Sequence, residues 1–256
     1  MTERTVARML PLYEAKMIHH YDHRWATYEA DGSARDVTLA EKQNPDFVAL
    51  PRYWVRESVV RERLRGRWDG DWLLGWRDIC RSTDERTMIA GSLPVTAVGH
   101  TMPIAITDRG TDVLQAIWSS FAFDFVARQK VGGTHMTYGY LEQLVTPRPD
   151  AAAPWADDVP AWIAKRSAWL QDRRSWQSEH RDRVRAEIDA SVFHIFGVDG
   201  QDVDYIMDTF PIVRRKDEAA YGEYRTKRLI LEVFDQMAEA VANGTSYNSS
   251  LDEELA

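Results

Sequence analysis

Cysteine is nearly missing from this sequence. Cys80 is the only one in 256 residues, so neither an internal disulfide nor a cysteine-rich zinc site can be built. No apolar run approaches the roughly 18 residues that a helical membrane span requires, so no membrane partner is expected. The opening stretch MTERTVARMLPLYEAK carries charge throughout and lacks the apolar core of a secretory signal. Internal repeats and low-complexity tracts are also missing. These absences exclude disulfide scaffolds, helical membrane proteins and solenoids, and point to a globular, cytoplasmic chain.

What is present is enough for a core. Apolar residues make up 44% of the chain and charged residues 28%, which suits one large domain or two small ones. The formal net charge is −8. Its distribution is uneven. Residues 229–256 hold Glu232, Asp235, Glu239, Asp252, Glu253 and Glu254 with no Lys or Arg, and the remainder is close to neutral. Residues 210–228 carry six basic side chains against three acidic ones, and residues 51–90 hold nine arginines against seven acids. Nucleic acids respond to local potential, so net charge neither requires nor forbids such a partner.

Periodicity divides the chain. The first 20 residues predict a helix starting near Pro11, with Leu12, Tyr13 and Met17 near one face. Residues 71–106 are short apolar runs separated by Gly, Pro, Ser and Asp, which predicts strands. Residues 111–129 switch to helical spacing, with Val113, Ile117, Phe121 and Phe125 on one face. Four prolines between 146 and 160 mark a boundary. Beyond it Trp162, Trp169 and Trp176, seven apart, predict one helical face, read as a packed stripe rather than a base-stacking platform. A last helix is expected over 216–242, followed by a frayed tail. The fold class is α+β: a small mixed β-rich core with helices, followed by a helical segment. Three regions are expected: an N-terminal helix and linker over 1–45, a core over 46–150 and a helical segment with acidic tail over 151–256.

Several motifs bear on chemistry. His19, His20, Asp22 and His23 form HHYDH; on a helix His19 and His23 could share a metal, but the glutamate of a zinc-hydrolase helix is missing. Glu14-Ala15-Lys16 has nuclease-like spacing without the upstream acidic strand such sites need. Asn44-Pro45-Asp46-Phe47 resembles the N-P-P-[YF] motif of amino-group methyltransferases, with Asp46 in place of the second proline and no glycine-rich cofactor loop before it. Asp199 to Asp204 lacks the glycine and glutamate of a calcium loop. Two segments suit nucleic acid. In GWRDICRSTDERT, Arg77, Arg81 and Arg86 alternate with Asp78, Asp84 and Glu85; arginine forks suit guanine edges and phosphates, and a structural ion-pair network is the alternative. Arg128 and Lys130 precede Gly132-Gly133-Thr134-His135, where glycines permit close backbone approach and the polar side chains suit phosphate or base edges.

Five ordered segments carry a resemblance: LYEAKMIHHYDHRWATY, ALPRYWV, WLLGWRDICRSTDERTMIAGSLPVTAVGHTMPI, SSFAFDFVARQKVGGTHMTYGYLEQLVTPRP and DVDYIMDTFPIVRRKDEAAYGEYRTKRLILEVFDQM. Together they resemble the C-terminal target recognition region of large adenine-specific DNA methyltransferases of type IIG restriction–modification and related phage-defence systems. The likeness covers about residues 10–240, and the catalytic half is absent. The resemblance implies a DNA sequence recognition module that is not catalytic alone. Double-stranded DNA and a methyltransferase catalytic domain or subunit would be its partners, and S-adenosylmethionine would bind in that partner, with no cofactor or metal here. The N-terminal segment would dock to the methyltransferase core. Expected DNA contacts are Arg77, Arg81, Arg86, Arg128, Lys130, Thr134, His135 and Tyr138. An intact enzyme with a cryptic S-adenosylmethionine or metal site, or a scaffold that docks a methyltransferase core, are the alternatives.

Overall fold

A computed structural model describes residues 7–107, 110–147 and 155–255. Eight strands come first: β1 (Met9–Tyr13), β2 (Ala26–Tyr28), β3 (Ala34–Asp36), β4 (Tyr53–Arg56), β5 (Trp72–Trp76), β6 (Ala90–Pro94), β7 (Ala97–Val98) and β8 (Ile104–Ala105). Two short helices lie among them, α1 (Leu39–Gln43) and α2 (Glu57–Leu64). Helices then dominate: α3 (Thr111–Ser119), α4 (Phe121–Lys130), α5 (Tyr138–Leu141), α6 (Val159–Gln171), α7 (Arg181–Ile195), α8 (Gly200–Asp208), α9 (Pro211–Tyr221) and α10 (Arg225–Ala242). The class is α+β, as the sequence predicts.

Three small sheets form, in the orders β4-β1-β7, β2-β3 and β6-β5-β8. Strand β5 divides the interior, because successive side chains of a strand point to opposite faces. Leu73 joins one core with Tyr13, Met17, Ile18, Leu93 and Met102. Leu74 and Trp76 face the other, which continues through α3 and α4 to α6, α7 and α10. That larger core runs from Tyr21 to Leu255 and crosses the boundary expected near 150. Residues 148–154 of the proline-rich stretch lie outside the described residues.

Four local expectations are corrected. The N-terminal helix is a strand: β1 pairs antiparallel with β4 from Met9↔Arg56 to Leu12↔Tyr53 and parallel with β7 from Leu12. Pro11 is tolerated because the β7 pairing starts only after it. The described part of the segment is packed inward at Tyr13, Met17 and Ile18, which are buried. The helix over 111–129 breaks at Ser120, whose extended backbone ends α3 and whose hydroxyl caps α4 by accepting from Phe123 N–H at 3.1 Å. Gly222, at φ 75°, separates α9 from α10 inside the expected last helix. The tail is docked rather than frayed. Tyr247, Leu251 and Leu255 are buried, each contributing roughly 1.5–3 kcal/mol.

The tryptophans behave as packing residues. Trp162 and Trp169 lie on α6, but Trp176 falls in a 3-10 turn over Arg173–Gln177. Lys42 and Arg181 sit over the Trp176 ring at 4.3 and 3.9 Å, and Arg166 covers Trp162 at 3.3 Å.

Candidate nucleic-acid interface

The two segments singled out in the sequence meet in space. Beyond β5 the chain 77–81 runs alongside residues 134–136. Met136 N–H donates to the Asp78 carbonyl at 2.6 Å and Cys80 N–H to the Thr134 carbonyl at 3.1 Å. Ile79 and His135 form an antiparallel bridge. Trp76 fixes the junction from below: its indole N–H donates to the Met136 carbonyl at 2.8 Å, and the ring is fully buried. Backbone pairing therefore carries the loop 131–137 on a rigid support, which is what precise presentation of side chains requires.

Five expected contacts lie on the exposed side of this junction. Arg81 is exposed at the start of a tight turn, where its own N–H is held by the Asp84 carboxylate at 3.0 Å. Lys130 ends α4, and Thr134 and His135 follow in the loop, all exposed. His135 Nδ1 lies 2.7 Å from Asp78 Oδ2, which orients the ring and leaves its other edge to solvent. Tyr138 is half exposed; its hydroxyl bonds the Ile104 carbonyl at 3.1 Å and its ring meets Trp76 edge-on. Gly132 and Gly133 add a second feature. A Cβ at either position would meet nothing within 4 Å, and neither has a positive φ. The fold itself does not need glycine there, whereas close approach of another molecule's backbone does.

Three expected contacts are corrected, because their guanidinium groups are committed inside the protein. Arg86 is 5% exposed; its Nε bonds Asp124 at 2.9 Å, its Nη2 the Ser119 carbonyl at 2.6 Å, and it stacks over Phe121. Arg128 bonds the other oxygen of Asp124 at 2.9 Å and covers Phe210 at 3.8 Å. Asp124 is fully buried and also accepts from Thr87 and Met88 N–H, so one carboxylate organises two arginines and a strand entry. Arg77 directs two donors at the Ile18 carbonyl, at 3.0 and 2.6 Å, tying the N-terminal segment to β5. Burial lowers it to about 10, so it stays charged at neutral pH. The structural ion-pair alternative describes Arg86, whereas Arg77 is held by a backbone carbonyl. Alternating sign in the sequence could not separate the inward arginines from Arg81, since the decisive partner, Asp124, is 38 residues from Arg86. Asp78 and Ile79, also on this face, carry no sequence signal beyond their neighbours.

The other motifs resolve into structure. His19 and His23 do not share a helix face. The chain turns back between them, with His19 and Asp22 exchanging backbone bonds at 2.7 and 3.0 Å around Tyr21 at φ 57°. His19 packs on Trp25 and His23 on Trp72. Beside the turn lies a cavity of about 290 Å³ lined by His19, His20, Trp25, Arg181, Arg185 and Asp189. Burial lowers His19 and His20 well below the usual imidazole range, and it raises Asp189 to about 6. Among the described residues no group of three or more His, Cys, Asp or Glu could hold a metal. Asn44 caps a turn by accepting from Asp46 N–H at 2.9 Å, and the Pro45 carbonyl accepts from Arg173 at 2.6 Å. Each of the two acceptors that a target amine would need already takes one donor from this chain. Glu14 is bonded to the Tyr28 hydroxyl, and Asp199 caps α8. Burial pushes the Cys80 thiol up to about 11, which makes it a poor nucleophile.

Among the described residues no helix is long and apolar enough to cross a membrane. No family model, curated protein or solved structure matches this chain.

Proposed function

We propose that this chain is a DNA sequence recognition module of an adenine-specific DNA methyltransferase or related restriction–modification and phage-defence system. The observation that supports it best is the joining of 78–81 to 132–138 in one exposed surface. There Arg81, Lys130, Thr134 and His135 are displayed beside two glycines for which the fold has no steric need. Arg81 and His135 are suited to base edges in the major groove, Lys130 to phosphate, and Gly132-Gly133 to close approach of the backbone. A partner catalytic domain would carry S-adenosylmethionine, flip the adenine and transfer the methyl group. This chain would hold the duplex in register.

The test is capture of duplex fragments from a mixed-sequence pool by the purified chain at about 50 and about 200 mM salt, followed by sequencing. An enriched motif that Arg81→Ala or His135→Ala relaxes at defined positions supports sequence recognition. Capture without any enrichment, or enrichment that both variants leave unchanged, removes this surface as the reader.

A further inference from the structure

Strand β4, helix α2 and the turn after it carry six arginines in sixteen residues: Arg52, Arg56, Arg61, Arg63, Arg65 and Arg67, all exposed. Arg61 pairs with Glu57 at 3.3 Å, and Arg8 reaches the same carboxylate at 3.4 Å. The other five have no carboxylate partner among the described residues; Arg52 sits over the Tyr53 ring at 5.4 Å. Glu57 and Glu62 are the carboxylates among these residues, so six cations face two anions, and like charges at this density repel one another; folding alone does not favour them.

The position of Arg56 sharpens the point. It is the N-cap of α2, makes no side-chain capping bond, and stands at the positive end of the helix dipole. Ser, Thr, Asp or Asn would stabilise that position and a cation opposes it. At the other end Arg63 and Arg65 gain a little from the dipole, but Arg67 lies beyond it.

A second observation is independent of charge. Tyr53 and Trp54 of β4 are 52% and 50% exposed. Trp54 and Arg56, two apart on the strand, share a face. Exposed aromatic rings interleaved with unpaired arginines are what a nucleic acid engages, through phosphates and the flat faces of sugars and bases. Helix α2 has eight residues, so the cations at its two ends are about 12 Å apart, about three to four steps of a DNA strand. Its buried side, Val60 and Leu64, anchors it in the core that Leu73 of β5 enters. The 78–81 surface lies past the far end of β5, roughly 20 Å along the chain from Trp72.

We propose that the β4–α2 arginine face is a second, sequence-independent contact to the phosphates of duplex DNA. It rests on the DNA-recognition function above and adds to it a positioning surface built from different elements. The 78–81 and 132–138 surface selects sequence, and the arginine face supplies affinity and salt dependence.

The experiment compares the wild-type chain with the combined variant Arg63→Ala, Arg65→Ala, Arg67→Ala, and with Arg56→Ala. Binding to a duplex of random sequence is measured from about 50 to about 200 mM salt, with circular dichroism as the folding control. Each phosphate contact contributes about 0.9 to the slope of log affinity against log salt, so the triple variant is expected to lose about 2 to 3 in slope. Its affinity should fall about equally on every sequence, and the motif selected from the mixed pool should be unchanged. An unchanged slope in a folded triple variant, with the wild type binding, overturns the arginine face and leaves sequence recognition standing. A lost slope with no motif ever selected supports the face and removes sequence recognition. No binding by wild type removes both, and a clear preference for single-stranded over duplex DNA overturns the duplex assignment.

Discussion

Residues 52–67 and 210–228 each hold six basic side chains, yet the fold treats them differently. In the second region Arg214 pairs with Glu218, Lys216 with Glu85, Arg225 with Asp182, Lys227 with Asp204 and Asp208, and Arg228 with Glu223 and Glu232. Only Arg215 lacks an ion pair among the described residues. In the first region only Arg61 has one among the described residues. A cation beside a carboxylate projects little field, whereas an unpaired one attracts anions over about a Debye length, ~8–10 Å at physiological salt. Equal basic counts therefore describe a braced helical layer in one place and an unneutralised surface in the other. Arg86 and Arg128 are the extreme of the braced kind, since both are buried on one carboxylate.

The largest expected effect comes from breaking that buried example. Asp124→Ala leaves two buried guanidinium groups without a counter-charge and two N–H groups without an acceptor. A loss of about 3–5 kcal/mol in urea unfolding is expected. A loss below about 1 kcal/mol would mean that Arg86 and Arg128 escape to solvent, and would return them to the candidate DNA contacts.

Acid should act next. Burial holds His23 down at about 4 and His19 and His20 well below the usual value of 6.5. Below about pH 6.5 the unfolded chain therefore binds protons that the folded chain refuses, and stability falls as pH drops. His23 alone accounts for about 3 kcal/mol by about pH 4. Asp189 works in the opposite sense: raised to about 6, it is protonated in the folded chain before the unfolded one, so its contribution grows as pH falls through that value. Three histidines against one aspartate give a net loss. Unfolding free energies that stay flat from about pH 6.5 to about pH 4 would contradict neutral buried imidazoles.

Smaller effects sharpen the comparison of exposed surfaces. Gly133→Ala meets no neighbour and no positive φ, so it should leave the fold intact and add about 0.4–1 kcal/mol by restricting the unfolded chain. Loss of DNA affinity in the same variant would locate the close approach at that loop, and unchanged affinity would remove it. Lys216→Ala breaks an exposed pair and should cost about 0.2–1 kcal/mol in thermal unfolding without moving the salt slope of DNA binding. The Arg63, Arg65 and Arg67 triple variant should show the reverse, stability within about 0.5 kcal/mol of wild type for each site and a lower slope.

How far these outcomes were legible differs by element. The strands over 71–106 and helix α6 follow from local signals: short apolar runs between Gly and Pro, and the helical spacing of Trp162 and Trp169. The failures share a cause. Leu12, Tyr13 and Met17 suit a helix face, but pairing with β4 and β7, more than 40 and 80 residues away, makes their segment a strand and a 3-10 turn. The tail reads as polar, yet Tyr247, Ser249 and Asp252 meet Glu187 and Arg166 in the core. For the candidate site, sequence density located both segments but not which arginines point outward.

The sequence alone determined the α+β class, the strand-rich middle, the helical C-terminal half and the closeness of polar residues within each segment, because these depend on period and short-range chemistry. Tertiary structure decided which cations are free. Charge is a property of the residue, but its field depends on the partners that distant segments bring within a few ångströms, as Asp124 does for Arg86 and Arg128 and as nothing among the described residues does for Arg63, Arg65 and Arg67.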